Sequence, residues 1–358
     1  MSGFLMTVIL VLWGMQAAVG LWLYFAFPVL GWKVPVGVLP AVMTAFTLFG
    51  ISYTRSHYGS WEQALYLASY TWFGLAFLAF CICAVFALMQ WILFFFHLNM
   101  RAWLGPLSVL VMAGVFAVSL WGGLAVPKIK RVSVSVPGAP KMKIALLSDS
   151  HLGMGVSVER FDAALKKLEK ENPDVLFVLG DVFEYGPDKE KYAARLAQVR
   201  PPLGVHGVFG NHEYYTGYQN SLQFYKDAGI SLLQNETAVL ENGVQVAGVK
   251  DIRTARVTKT ELQELLAKTE PTKPLIWLSH TPLYAEEASA GGADLMFSGH
   301  THNGQIFPFN ALVRLQFPRV YGLYEVEKMK FYITSGMFYW GIPFRFLAPA
   351  EIPVIEVN

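Results

Sequence analysis

The first third of the chain consists of four long apolar runs separated by short polar stretches. The runs cover roughly residues 4–28, 34–53, 66–96 and 103–126. A helix needs about 20 mainly apolar residues to cross a bilayer, so each run is long enough to span one. The first run is too long for the core of a signal peptide and lacks a basic start, so we interpret it as a retained helix. The pattern predicts four transmembrane helices.

Charged residues mark the boundaries between these runs and are missing from their interiors. Lys33, the stretch 55–62 and the stretch 97–101 form the three boundaries. Proton relays and ion pathways usually need an ionisable residue within the membrane, so the pattern argues against a transporter. Gln16 and Gln90 are the long polar side chains inside the runs, and we expect both to form hydrogen bonds between helices.

After residue 126 the pattern changes to short apolar strands that alternate with amphipathic helices. We predict strands at 131–136, 143–148, 174–179, 205–209, 274–279, 293–298, 329–334 and 352–357, and helices near 158–169, 188–199 and 258–268. Asn242-Gly243 lies between the strands 238–241 and 244–249 and is a strong hairpin signal. Strand, helix and strand recur about every 30 residues, as in a βαβ unit. These patterns predict an α/β domain built around two sheets.

Composition separates the two parts of the chain further. Of the 358 residues, 54% are hydrophobic and 15% are charged, which excludes a disordered, collagen-like or coiled-coil protein. Residues 1–126 contain only four charged side chains, and the other 25 Lys and Arg and 25 Asp and Glu follow Val126. We therefore predict a four-helix transmembrane domain at 1–126, a linker at 127–140 and a soluble α/β domain at 141–358.

Net charge and cysteine content exclude two classes of ligand, and the distribution of Lys and Arg predicts the orientation in the membrane. The net charge of +2 provides no basic field for nucleic acid, and two cysteines exclude a Cys-rich zinc site. Four spans put both termini on one side of the membrane, and that side carries more Lys and Arg: Arg55, Lys128, Lys130, Arg131, Lys141 and Lys143, against Lys33 and Arg101 opposite. The positive-inside rule then predicts an integral membrane protein whose soluble domain faces the cytoplasm.

Five of the predicted strands each end in a small cluster of polar residues. The clusters are Asp149-x-His151, Gly180-Asp181, Gly210-Asn211-His212-Glu213, His280, and Gly299-His300-Thr301-His302. Because sites in α/β sheets form at the carboxyl ends of strands, we expect these side chains to meet. Five of the six histidines of the soluble domain fall in the clusters, and only His206 does not. Each cluster alone could be a turn or a satisfied polar residue, but together they predict a metal site, with His206 structural.

The clusters and their order resemble the motifs of the calcineurin-like metallophosphoesterases, from about Lys141 to the end of the chain. The family pattern is D-x-H, G-D, G-N-H-[D/E], a lone His and G-H-x-H. The stretch from GHTHNGQIFP to the C-terminus looks like the bacterial branch of membrane-associated phosphodiesterases. Asn303 replaces the usual Gly of that branch, and Glu213 replaces the commoner Asp. The resemblance implies a four-layer α-β-β-α sandwich and a metal-dependent phosphoric ester hydrolase, either a phosphodiesterase or a pyrophosphatase.

The resemblance also implies a role for each cluster residue. Asp149, His151 and His302 would hold one divalent metal ion, Asn211, His280 and His300 would hold a second, and Asp181 would bridge them. Two such cations clamp a phosphate and acidify a water that attacks phosphorus. His212 would stabilise phosphoryl charge or protonate the leaving oxygen, the alternative being a supporting histidine. The nitrogen and oxygen ligands suit Mn²⁺, Fe or Zn²⁺, with Mn²⁺ the first expectation.

The predicted membrane helices and the C-terminal aromatic residues indicate where the substrate is located. Aromatic residues crowd the region after the last metal-ligand motif, where they would touch lipid or fill the core: Phe307, Phe309, Phe317, Phe338, Tyr339, Trp340, Phe344 and Phe346. Arg314, Arg319 and Arg345 lie among them and could hold a phosphate or be surface residues. We expect an enzyme of the bacterial inner membrane that acts on a lipid-linked phosphodiester or pyrophosphate. A tethered enzyme with a soluble nucleotide or phosphoprotein substrate, and an inactive membrane sensor or scaffold, are the alternatives. The sequence predicts no oligomeric state.

Overall fold

The computed structural model describes residues 3–27 and 38–358, which form two compact units. One unit contains Met1–Leu124 together with Gly341–Phe346, and the other contains Ala125–Trp340 and Leu347–Asn358. The run boundary predicted at Lys33 lies outside the described residues. We call the two parts the helical unit and the sandwich unit.

In the part of the chain that the structure describes, the helical unit contains four helices: α1 (Gly3–Ala26), α2 (Val38–Tyr53), α3 (Ser60–Phe95) and α4 (Arg101–Leu124). Within the described residues, α1, α3 and α4 are long and apolar enough to cross a membrane, whereas α2 is apolar but has 16 residues. Three of the four predicted runs therefore have the length and composition of a membrane span. A span of the usual length needs about 20 residues, and α2 is shorter than that.

The two glutamines of the helical unit differ in what they bind. The Gln16 side chain donates to Thr44 Oγ1 at 3.0 Å and accepts from Trp72 Nε1 at 3.1 Å, which links α1 to α2 and α3 as expected. Gln90 instead binds the turn between α3 and α4, where it donates to the Leu98 carbonyl and accepts from the Met100 N–H. Both side chains satisfy polar groups that would otherwise lie in an apolar environment.

The short segment Gly341–Phe346 completes the helical unit, although it lies far from the helices in sequence. The ring of Phe344 packs edge-on against Phe116 at 5.1 Å, and the Arg345 N–H donates to the Ser119 carbonyl at 2.8 Å. A Cβ at Gly74 would lie 2.3 Å from Ile342 Cγ2, and one at Gly123 would lie 2.1 Å from the Pro343 carbonyl oxygen. The segment therefore fits against α3 and α4 only because glycine occupies these two helix positions.

The sandwich unit is built from two six-stranded sheets. The first sheet has the order β1 (Lys128–Val134), β12 (Glu351–Val357), β2 (Met142–Leu147), β3 (Val175–Val178), β4 (Val205–Gly207) and β5 (Ser231–Leu232). The second has the order β10 (Gly322–Val326), β11 (Met329–Ile333), β9 (Leu295–Ser298), β8 (Leu275–Leu278), β7 (Gln245–Gly248) and β6 (Glu236–Val239). Strand β1 falls in the stretch predicted as a linker, and it pairs in parallel with β12 along its whole length.

Helices cover the outer faces of both sheets. The helices of the sandwich unit are α5 (Val158–Glu169), α6 (Lys189–Leu196), α7 (Asn211–Tyr215), α8 (Tyr218–Asp227), α9 (Lys259–Leu266), α10 (Ala285–Ala290) and α11 (Phe309–Gln316). Fully buried side chains fill the space between the sheets, among them Ile144, Phe177, Ile276 and Phe297. Helices α5, α6 and α8 pack on the first sheet, and α9 and α10 pack on the second. Burying each large apolar side chain contributes about 1.5–3 kcal/mol. The four-layer α-β-β-α prediction is confirmed.

Candidate metal centre

The five polar clusters follow β2, β3 and β4 of the first sheet and β8 and β9 of the second. Several cluster residues adopt a left-handed backbone, with φ of +51° at Asp149, +53° at Asp181 and +48° at His302. Such conformations cost roughly 1–3 kcal/mol each in a residue with a side chain. The chain accepts this strain at the strand ends, and the side chains turn towards one another.

Asp149, His151 and His302 form the first group. His302 Nε2 lies 3.3 Å from Asp149 Oδ1 and 3.0 Å from His151 Nε2. Asp149 also accepts hydrogen bonds from the Ser148 hydroxyl at 2.5 Å and from the His300 N–H at 3.0 Å, so its carboxylate is held in one orientation. One nitrogen or carboxylate oxygen from each of the three residues lies within 4.8 Å of the others, as metal ligands must.

Asp181, His280 and His300 form the second group, with Asn211 beside it. His280 Nε2 lies 3.2 Å from Asp181 Oδ2 and 3.2 Å from His300 Nδ1. His300 Nδ1 is also 2.9 Å from Asn211 Oδ1. Asp181 Oδ2 lies 3.9 Å from His151 Nε2, so one carboxylate adjoins both groups. All seven residues predicted as metal ligands thus lie in one cluster.

The hydrogen bonds of the histidines test whether this cluster suits a cation. His280 Nδ1 lies 2.7 Å from the Leu179 carbonyl and must donate to it, so a neutral His280 ring directs its Nε2 lone pair towards the Asp181 carboxylate. In the same way a neutral His151 ring that donates from Nδ1 to Glu184 Oε1, at 2.5 Å, has its lone pair on Nε2. Lone pairs and carboxylate oxygens that converge repel one another unless a proton or a metal cation lies between them. The nitrogen and oxygen donors therefore fit divalent Mn, Fe or Zn.

Glycines next to the ligands leave the space that this convergence needs. A Cβ at Gly210 would lie 2.2 Å from Asp181 Oδ1 and 2.8 Å from the His280 ring. A Cβ at Gly299 would lie 2.2 Å from Asp149 Oδ2. Neither contact is sterically possible, so any side chain at these two positions would displace a carboxylate of the cluster.

His212, predicted as a catalytic residue, lies against the first group. Its ring packs edge-on against His151 at 4.9 Å and against Trp340 at 5.6 Å, and its Nδ1 lies 3.0 Å from Glu184 Oε1. Burial would lower the pKa of His212, but the negative charges of Asp181 and Glu184 outweigh it and raise the pKa to about 9. His206, in contrast, binds the Leu203 carbonyl at 3.1 Å, in keeping with a structural role.

Two glutamates support the cluster without having been predicted as site residues. Glu184 Oε1 contacts the Nδ1 atoms of both His151 and His212. Burial would raise the pKa of Glu184, but these two histidines outweigh it and lower the pKa to about 2. Glu213 accepts the backbone N–H groups of Asp181, Val182 and Gly210 at 2.8–2.9 Å, which fixes the strand ends that carry the ligands. The G-N-H-E motif contains Glu213, whereas no motif signals Glu184.

Arg253 is a third residue beside the cluster that was not predicted from the sequence. Its guanidinium lies 4.5 Å above the ring of Phe317, and that ring packs edge-on against His300 at 5.4 Å. Burial and the charge of His280 lower the pKa of His300 to about 4, and the positive charge of Arg253 adds to this effect. An exposed arginine therefore stands beside the metal cluster, in the loop that follows β7.

The aromatic residues of the C-terminal region divide into two sets. Phe317, Phe338, Tyr339 and Phe344 are buried and Phe346 is half-buried, whereas Phe307, Phe309 and Trp340 are exposed. The three arginines of this region also differ in their surroundings. Arg314 is exposed, Arg319 pairs with Glu286 at 2.8 Å, and Arg345 is buried in the helical unit. The core explanation thus holds for one set of aromatics, and the other set remains on the surface.

The four-layer sandwich and the converging Asp and His side chains at its strand ends agree with the metallophosphoesterase class that the motifs predict. Residues 142–304 match the family model for calcineurin-like phosphoesterases. An uncharacterized metallophosphoesterase of Campylobacter jejuni is 33% identical over 70% of this chain and 68% of its own length. One of Helicobacter pylori is 34% identical over 69% of this chain and 68% of its own length. The chain belongs to the calcineurin-like metallophosphoesterase family.

The name of a further relative mentions both a metallophosphoesterase domain and a transmembrane protein. A protein of Bos taurus named transmembrane protein with metallophosphoesterase domain is 34% identical over 69% of this chain and 60% of its own length. Among solved structures, TT1561 of Thermus thermophilus aligns with 55% of this chain and 90% of its own, with a TM-score of 0.38 and 14% identity. The three apolar helices and the transmembrane relative indicate membrane association.

Proposed function

We propose that this protein is a membrane-anchored hydrolase that uses two divalent metal ions to cleave a phosphodiester or pyrophosphate bond in a lipid-linked substrate. The observation that carries the proposal is the convergence of two Asp/His groups in a chain with membrane-length helices. The basic residues after α4 and the bacterial relatives support the inner membrane as the location, with the sandwich unit facing the cytoplasm.

Each group of the cluster would hold one metal ion. Asp149, His151 and His302 form one ligand set, and Asn211, His280 and His300 form the other. The Asp181 carboxylate adjoins both sets, which supports its role as the bridge. When bound, the two cations, with Mn²⁺ as the first expectation, supply the Lewis acidity that polarises the phosphoryl group and activates water.

His212 contributes proton chemistry beside the metal ions. Glu184 binds Nδ1 at 3.0 Å, so Nε2 is the atom left to face a substrate. A proton on Nε2 stabilises negative charge on the phosphoryl oxygens or passes to the leaving oxygen. The packing of the ring against His151 and Trp340 restricts its rotation and keeps Nε2 in place.

Arg253 contributes to substrate binding on the side of the second group. Its planar guanidinium stacks on Phe317, and this stacking leaves the N–H edge available for a phosphate oxygen. A lipid-linked pyrophosphate or diester presents a second anionic or polar group next to the bond that is cleaved. We expect Arg253 to bind that group and so lower KM.

The proposal is tested with the purified full chain, Mn²⁺ and a panel of phosphoesters. We expect hydrolysis of lipid-linked pyrophosphates or diesters in mixed micelles, and two bound metal ions per chain by elemental analysis. Asp181→Asn should abolish turnover because a neutral amide cannot bridge two dications, whereas Asp227→Asn, on the exposed end of α8, should retain it. Turnover of nucleotides alone would replace the lipid substrate with a soluble one. If the chain binds no metal and cleaves no phosphoester, the hydrolase proposal is rejected in favour of an inactive membrane sensor or scaffold.

A further inference from the structure

Helix α11 presents its apolar residues to the outside of the sandwich unit. It begins seven residues after His302, and none of its residues is buried. Leu312 is 57% exposed and Leu315 is 85% exposed. The side facing the protein carries the half-buried residues Asn310 and Val313, and the Cα and N of Asn310 would lie within 2.5 Å of a Cβ at Gly304. A helix on the surface of a soluble domain normally has the opposite orientation, with its apolar face towards the core.

Further exposed apolar residues continue this surface up to the metal centre. The Gln305 side chain donates to the Trp340 carbonyl at 3.2 Å and accepts from its N–H at 2.8 Å, which ties Trp340 to the segment leading into α11. The indole ring lies 5.6 Å from His212. We define the apolar rim as Phe307, Phe309, Leu312, Leu315 and Trp340, which are all between 45% and 85% exposed.

The chain itself indicates what covers this rim. Gly341, the residue directly after Trp340, begins the segment Gly341–Phe346, which packs with α3 and α4 in the helical unit. The rim is therefore one residue away in sequence from a unit built of membrane-length helices. Trp and Phe are enriched where protein meets the headgroup region. Arg314, exposed on the same helix, is a cation of the kind that binds anionic headgroups.

We propose that the apolar rim inserts into the interfacial layer of the lipid bilayer, and that the metal centre receives its substrate from that layer. This step rests on the proposed hydrolase function and deepens it, because it names the surface through which a bilayer-resident phosphoester reaches the metal centre. Burial of the rim removes apolar surface from water at about 25 cal/mol per Å², which favours docking of a helix oriented in this way. Trp340 would then contact both lipid and His212.

The depth of the rim can be measured on the full chain in phosphatidylglycerol–phosphatidylcholine vesicles. In a Cys81→Ala/Cys83→Ala background, Leu315→Cys carries a nitroxide label. Val239→Cys carries the same label as a matched control, because Val239 is an exposed apolar residue of β6 outside the rim. Power saturation then compares collisions with oxygen, which partitions into lipid, and with a water-soluble nickel chelate. We expect a ratio of oxygen to nickel accessibility several times higher at residue 315 than at residue 239.

Equal ratios at the two positions would overturn the inference. So would spin–spin broadening at residue 315 that disappears on dilution with unlabelled chain, because the rim would then bind a second copy. Hydrolysis of soluble bis(4-nitrophenyl) phosphate in the same vesicles reports on the catalytic proposal separately. If the soluble ester is hydrolysed but the label at residue 315 is exposed to water, the docking surface is rejected and the hydrolase proposal is kept. If the label lies in lipid but no ester is hydrolysed, the docking surface is kept and the hydrolase proposal is rejected.

Discussion

Glu184 should control the metal centre although it is not among the expected ligands. Its Oε1 atom accepts from His151 Nδ1 at 2.5 Å and from His212 Nδ1 at 3.0 Å, and its side chain is 14% exposed. The substitution Glu184→Gln keeps the shape and one oxygen acceptor but removes the negative charge. A hydrogen bond to a charged group contributes about 1 kcal/mol more than a neutral one, so two such bonds amount to about 2 kcal/mol. This difference corresponds to about a 30-fold effect, within the range of about 10–100-fold typical for partners of metal-binding histidines.

The assay is a metal titration of hydrolysis by the purified full chain. Glu184→Gln should raise the Mn²⁺ concentration needed for half-maximal rate, because the His151 ring loses its orienting partner. It should also lower kcat, because His212 loses the same partner. Glu190→Gln is a matched control, since Glu190 is an exposed residue in the first turn of α6. We expect this control to match the unaltered chain in both measurements.

Two outcomes would refute the reasoning about Glu184. A variant with unchanged metal dependence and unchanged kcat would mean that the two histidines are oriented by their packing alone. A variant that loses activity together with its thermal unfolding transition would mean that Glu184 stabilises the fold rather than the site. The unfolding temperature of the metal-free protein separates these cases, because it does not depend on metal binding.

Three further predictions concern the other groups of the site. Glu213→Ala should lower the free energy of unfolding by about 3 kcal/mol or more in urea titrations, because three buried N–H groups lose their acceptor; unchanged stability would contradict this. Arg253→Ala should raise KM by about 10-fold with little change in kcat, and Arg253→Lys should restore part of the loss; a fall in kcat alone would reject the binding role. Removal of metal with a chelator should abolish hydrolysis and Mn²⁺ should restore it, whereas activity in the chelator would exclude a metal-dependent reaction.

The local sequence predicts most of the sandwich, and the exceptions have physical reasons. Helix α5 agrees with its prediction at both ends, since Ser157 caps its first turn and its apolar residues recur at helical spacing. The Asn242-Gly243 turn joins antiparallel β6 and β7 as expected. Strand β1 begins at Lys128, before its predicted start, because its pairing with β12, a strand distant in sequence, extends it. Helix α11 was not predicted.

In the candidate site, too, residues in local sequence motifs could be predicted, whereas residues that matter through contacts with distant parts of the chain could not. The five motifs predicted which Asp, His and Asn side chains meet, because a motif at a strand end is a local feature. Glu184 carries no such signal, since its importance comes from the distance to His151 and His212 in the folded chain. Arg253 depends likewise on Phe317, which lies on a different part of the chain. Which histidine nitrogen faces the metal site also follows only from the hydrogen bonds of the folded protein.

The segment Gly341–Phe346 has a consequence for how the protein is made. Helix α4 ends at Leu124, and the segment that packs against it follows about 200 residues later. At about 5–20 residues per second, a ribosome needs roughly 10–40 s to synthesise the chain between them. During that interval Gly74 and Gly123 have no Ile342 or Pro343 beside them, so α3 and α4 have an unfilled surface. The helical unit is therefore complete only after β1 to β11 of the sandwich unit have been synthesised, and a chain that stalls before Gly341 keeps that surface exposed.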